Sequence, residues 1–241
     1  MTAKEARQEQ WKKLQDKPLR AKLKYIFTYY WAAIALCAFV LVFISSWIVS
    51  ALTQKETVLS GCLVNGTTMD SYQGVMTDEF LADQQIDSQQ YKFDLLADTY
   101  LDDMDVYALE SIVTRILARD LDFVVTDLYT YPILSAHFAD LETVLTEEQL
   151  EKYRPYFVYV EQSALETLKE GDQGSGLTLP EYSQEPEKLE DPVALGIHIP
   201  ESSRLFDAYS FPKDTIVFGI TITNQHLTQT LAFLDYIFQP K

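Results

Sequence analysis

Cysteine is nearly absent from this chain: two residues in 241, Cys37 and Cys62. Cys37 lies inside a long apolar run and Cys62 beyond it, so the two are not expected to pair within one chain. The part after the run must be held by its own core. Familiar catalytic signatures are missing as well. There is no G-x-S-x-G, no phosphate-binding P-loop, no H-E-x-x-H and no C-x-x-C. The three histidines, His137, His198 and His226, stand far apart and lack zinc-ligand spacing. Asp94, Asp98, Asp102, Asp103 and Asp105 offer oxygen ligands, yet no glycine sits at the sharp turn an EF-hand needs, and helix capping explains them better. The glycines of Gly171-Asp-Gln-Gly-Ser-Gly176 precede no helix, so a flexible loop is expected there rather than a phosphate cradle. No catalytic residue, metal or cofactor is expected.

Charge is missing from one stretch. Residues 25–54 contain no charged side chain, and about 20 apolar residues suffice to cross a bilayer. Tyr25, Tyr29, Tyr30 and Trp31 stand at one end and Trp47 at the other, as in the aromatic belts of membrane interfaces. Before the run, residues 1–24 hold eight Lys or Arg against three acids, a net charge of +5. The whole chain carries −17, so the remainder carries −22. The positive-inside rule places residues 1–24 in the cytoplasm, 25–54 in the cell membrane and 55–241 outside. Two processing alternatives stay open. Val49-Ser50-Ala51 could be a signal-peptide cleavage site, and Leu59-Ser60-Gly61-Cys62 reads like a lipobox, although Gln54, Lys55 and Glu56 separate it from the apolar run. A buried strand from Thr57 to Val64 is the competing reading of Cys62.

The acidic remainder alternates in pattern. Val58–Val64 reads as a strand ending in the turn Asn65-Gly66-Thr67-Thr68. A helix is expected over Met69–Gln84, and a second strand over Tyr91–Ala97. Leu109, Ile112, Val113, Ile116 and Leu117 form one helical stripe, with a continuous apolar strand, Leu121–Thr126, after it. A short helix is expected near Pro132, and Thr146-Glu-Glu-Gln149 is a capping box. Phe157–Val160 reads as a strand, residues 161–192 as a long exposed excursion, and Val193–Ile199 and Thr215–Thr223 as two more strands. A last helix carries Leu227, Leu231, Leu234 and Phe238 and stops before Pro240. The β-α-β-α-β order predicts an α/β domain with an open, mainly parallel sheet and helices on both faces.

Open sheets of this class bind ligands at the carboxyl ends of their strands. That edge would carry Asn65 and Thr67 after the first strand and Asp127, Tyr129 and Tyr131 after the third. A carboxylate flanked by aromatics can orient and stack a small polar or cationic ligand. The acidity disfavours nucleic acid and anionic membrane as partners of this domain.

The segment order resembles the first lobe of bacterial extracellular solute-binding proteins of the type II periplasmic-binding fold. Leu121-Asp-Phe-Val-Val-Thr-Asp127 is similar to the end of that lobe's third strand. Thr215–Asn224 followed by Leu227–Gln239 is similar to its late strand and closing helix. The likeness spans about residues 57–239. The segment where a second lobe would be inserted is short here, which makes the chain more similar to single-pass membrane proteins of Gram-positive bacteria that carry a reduced version of the fold. The resemblance implies a membrane-anchored, non-catalytic solute-binding-like module. The alternative is an envelope scaffold, for example a transporter subunit, that has lost small-ligand binding and docks a protein.

Overall fold

A computed structural model describes residues 18–72, 74–101, 106–170, 180–212 and 215–239. The chain divides into two compact units, Met1–Gln54 and Lys55–Lys241.

In the first unit, helix α1 (Leu19–Thr53) starts after Pro18, six residues before the charge-free run. Proline fits a helix entry because its missing N–H is one the first turn cannot use. Within α1 the segment Tyr30–Val49 is long and apolar enough to cross a membrane, and none of it is buried by the protein itself. Trp31, Phe39, Leu41, Val42, Phe43 and Trp47 all stand open, unlike the side chains of a helix in a soluble core.

The second unit is an α/β domain. Its strands are β1 (Glu56–Val64), β2 (Thr67–Thr68), β3 (Tyr91–Thr99), β4 (Phe123–Asp127), β5 (Phe157–Glu161), β6 (Tyr182–Ser183), β7 (Pro192–Ile199), β8 (Tyr209–Ser210) and β9 (Ile216–Ile220). The helices are α2 (Met76–Asp83), α3 (Val106–Leu117), α4 (Tyr131–Leu134), α5 (Leu141–Val144), α6 (Glu147–Tyr153), α7 (Gln162–Glu170), α8 (Leu205–Ala208) and α9 (Leu227–Phe238). Seven strands form one sheet in the order β3-β1-β4-β9-β7-β5-β6, while β2 and β8 make a separate two-stranded ribbon.

The sheet is mixed. β1 is parallel to β3 and to β4, as the β-α-β-α-β run requires. From β4 onward every pairing is antiparallel, which corrects the expectation of a mainly parallel sheet. The cause is β9. It enters late, runs against both β4 and β7, and sits between them.

Alternation along the strands builds two cores. Leu59, Leu63, Phe93, Phe123, Phe218 and Ile220 meet α2, α5, α6, α8 and α9 on the first face. Cys62, Val64, Val124, Val158, Val160 and Val217 meet α3, α4 and α7 on the second. Helices therefore cover both faces. Aromatic rings dominate the first core, where Phe123 stacks on Phe218 at 4.7 Å and Phe93 meets Phe233 edge-on at 4.9 Å. Cys62 is a buried β1 residue, and burial pushes its thiol up to about 11.

Two segments differ from expectation. Helix α2 begins at Met76, not Met69, because Thr67 and Thr68 pair with Ser210 and Tyr209, and the Met69 N–H donates to the Ala208 carbonyl. The excursion holds structure of its own, namely α7, whose Leu165 is buried on the second face, and the edge strand β6. Asp102, Asp103, Asp105 and Gly171–Gly176 lie outside the described residues. The capping box is present: Thr146 accepts from the Gln149 N–H, and the Gln149 side chain accepts from Thr146.

Candidate functional site

Asn65 is the residue after β1 and has φ 59°, a left-handed conformation that asparagine tolerates better than most side chains. That turn aims its amide across the strand ends. Its Nδ2 donates to Asp127 Oδ2 at 2.8 Å, and its Oδ1 accepts from the Leu101 N–H at 2.8 Å. Its own backbone N–H donates to the Thr99 carbonyl at 2.7 Å. Asp127 Oδ1 accepts from the Thr130 N–H at 2.8 Å. Both side chains are buried.

The position is the one an open α/β sheet reserves for ligands. From β1 the chain leaves through α2 on the first face to β3, then crosses back through α3 on the second face to β4. The strand order therefore switches between β1 and β4. The Asn65–Asp127 bond spans that switch, so part of the hydrogen-bonding capacity at this point is used within the protein.

Of the other sequence-predicted residues, Thr67 is exposed and its hydroxyl lies 2.7 Å from the Tyr100 hydroxyl. Tyr129, two residues after Asp127, is 60% exposed. Tyr131 is fully buried on the second face, where its hydroxyl donates to the Val158 carbonyl at 3.1 Å and burial holds its phenol well above the ordinary value. The structure thus joins Asn65 to Asp127, leaves Thr67 and Tyr129 on the surface, and takes Tyr131 into the core.

A cavity that sequence reading missed opens at the same edge, on the first face. Its volume is about 470 Å³, within the range of small-molecule sites, and Ser71, Tyr72, Met76, Glu79, Arg204, Asp207 and Tyr236 line it. Three separate segments meet there: the turn into α2, the turn into α8 that follows β7, and the end of α9. Because β9 opposes both β4 and β7, β7 runs in the direction of β4 and delivers Arg204 to the carboxyl-end side. The Tyr72 hydroxyl donates to Glu79 Oε2 at 2.6 Å, and the Tyr236 hydroxyl donates to the same oxygen at 3.4 Å. The Arg204 guanidinium lies 4.9 Å from the centre of the Tyr236 ring, over its face. Burial first, then the Glu79 carboxylate, raises the Tyr72 phenol well above its ordinary range. Burial also raises Tyr236, against Arg204. Both hydroxyls therefore remain protonated donors at neutral pH.

At the opposite edge, buried Asp122 accepts from the backbone N–H of Ser60 at 2.8 Å, of Gln225 at 2.9 Å and of His226 at 3.1 Å, and its Oδ2 lies 3.0 Å from His226 Nδ1. This carboxylate staples β1, β4 and the entry to α9. Among the described residues no group of three or more His, Cys, Asp or Glu side chains is placed to hold a metal ion.

No known family profile, curated protein or solved structure matches the chain.

Proposed function

We propose that the chain is a membrane-anchored, non-catalytic module whose domain outside the cell recognises a small solute. In this reading α1 is the anchor, the basic segment before it faces the cytoplasm, and residues 55–241 stand outside. The excess of Lys and Arg before the apolar run supports the orientation. The likeness to a reduced type II solute-binding lobe rests on the β1-α2-β3-α3-β4 run, on β9 arriving late beside β4, and on α9 packing back onto the same sheet.

The observation that carries the reading is the cavity of Tyr72, Glu79, Arg204 and Tyr236. It lies at the carboxyl-end side, it is large enough for a solute, and it combines charges of both signs with two aromatic side chains.

A second reading, a protein-docking scaffold, is favoured by one specific observation. The Asn65–Asp127 bond occupies the switch point, while Tyr100, Tyr107 and Tyr129 are exposed where the chain leaves the strand ends and enters α3.

The experiment is a thermal-melt screen of the full chain in detergent against sugars, amino acids, peptides, polyamines and metal ions. A solute that binds only the folded state adds about 2.7 kcal/mol at a hundredfold excess over its dissociation constant. A raised Tm with one class supports solute recognition. A flat screen from a cooperatively melting domain overturns it and leaves the scaffold.

A further inference from the structure

The cavity holds opposite charges that have not closed on each other. Glu79 is fixed by two phenol donors on one oxygen, and Arg204 is fixed over the face of the same Tyr236 whose hydroxyl reaches Glu79. One tyrosine thus keeps a carboxylate at its hydroxyl end and a guanidinium over its ring. Among the described residues no ion pair joins Arg204 to Glu79, and Asp207, the second carboxylate of the lining, has an interaction of its own. The other Glu79 oxygen, Oε1, lies against the backbone of Gly74, and a Cβ at that position would collide with it. Met76 and Tyr236 form a buried floor beneath these groups.

An open cleft with a held carboxylate and a held guanidinium is complementary to a molecule that carries both opposite charges. A simple cation would satisfy Glu79 or Asp207 and face repulsion from Arg204. A simple anion would do the reverse. A molecule with an ammonium and a carboxylate satisfies both, each through a charge-assisted hydrogen bond, and the Tyr72 and Tyr236 side chains can pack its carbon skeleton.

We propose that the Tyr72–Glu79–Arg204–Tyr236 cavity binds a small zwitterion, with its ammonium on Glu79 and its carboxylate on Arg204. This rests on the solute-recognition reading and names its chemical class.

The test is isothermal titration of the full chain in detergent with glycine, L-alanine, L-leucine, L-glutamine and 4-aminobutanoate, each alone. Propylamine and propionate serve as single-charge probes. At least one zwitterion is expected to bind, with the single-charge probes at least tenfold weaker. Glu79→Gln and Arg204→Gln should each weaken binding by roughly tenfold or more, the loss of one charge-assisted contact. Both side chains reach solvent and their backbone bonds are untouched, so both variants should melt near the parent. Tyr72→Phe keeps the ring, removes one of the hydroxyls on Glu79, and should weaken binding less than Glu79→Gln.

Binding that survives both charge variants overturns the site. Propylamine or propionate binding as tightly as every zwitterion overturns the charge argument. No heat from any zwitterion, with a sugar, peptide, polyamine or metal ion raising the Tm, overturns this proposal and leaves solute recognition standing. Silence from every class overturns both.

Discussion

Asp127 shows how a side chain at the ligand edge of a sheet can be tied into the fold. It stands at a strand end, flanked by tyrosines, but its two oxygens are taken by Asn65 and Thr130. Truncation would strand a buried amide and a buried N–H. Asp127→Ala is therefore expected to cost about 2–4 kcal/mol, read as a lower urea midpoint with an unchanged slope. His198 makes the opposite kind of statement. It lies half-buried in β7, burial lowers its imidazole below the ordinary value, and Glu201 opposes that shift only in part. The unfolded chain then takes up this proton first as pH falls. Stability contributed by neutral His198 is present above about pH 6.5 and declines below it, levelling off once the folded imidazole is also charged. In His198→Gln, urea midpoints compared between pH 7.5 and pH 5 should show a smaller acid decline than in the parent.

Among elements, β1 depends most on a missing side chain. Gly61 pairs with Phe123 on β4, and a Cβ at 61 would enter the Phe123 ring. That ring is locked between Phe93, Phe218 and Phe233, so it has nowhere to go. Gly61→Ala should cost about 1–3 kcal/mol by overpacking, and thermal melting would register it as a lower Tm. Elements whose periodicity is local were legible in the sequence: β1, β3, α3, β4, the capped α6, β7 and α9 all lie where apolar spacing puts them. Even there, the burial was not. Leu117 belongs to the α3 stripe yet is 58% exposed, and the buried face of α9 is centred on Phe233, Leu234 and Ile237. The start of α2 was illegible because a distant ribbon, β2 with β8, holds the preceding residues. The cavity was illegible for a related reason. Tyr72 and Glu79, Arg204, and Tyr236 belong to three segments that no local pattern links, whereas Asn65 and Asp127 could be paired because each ends a recognisable strand.

The molecule as a whole joins a helix long and apolar enough to cross a membrane to a domain with its own two cores. Protease added to intact cells is expected to remove epitopes placed within residues 55–241 and to spare an epitope before residue 18. Loss of the second epitope and survival of the first would reverse the orientation drawn from the charge balance.

The placement of β9 also constrains the order of assembly. The chain makes β3-β1-β4 early and β5, β6 and β7 later, yet β4 and β7 never touch as strands, because Ile216–Ile220 lies between them. Until those residues have left the ribosome, the nascent polypeptide consists of two half-sheets with no seam. Closure of the domain is therefore a late event, contingent on the last strand among the described residues. A polypeptide that cannot lock shut during its own synthesis stays threadable, which is the state a protein needs if most of its mass has to pass through a membrane pore before it folds.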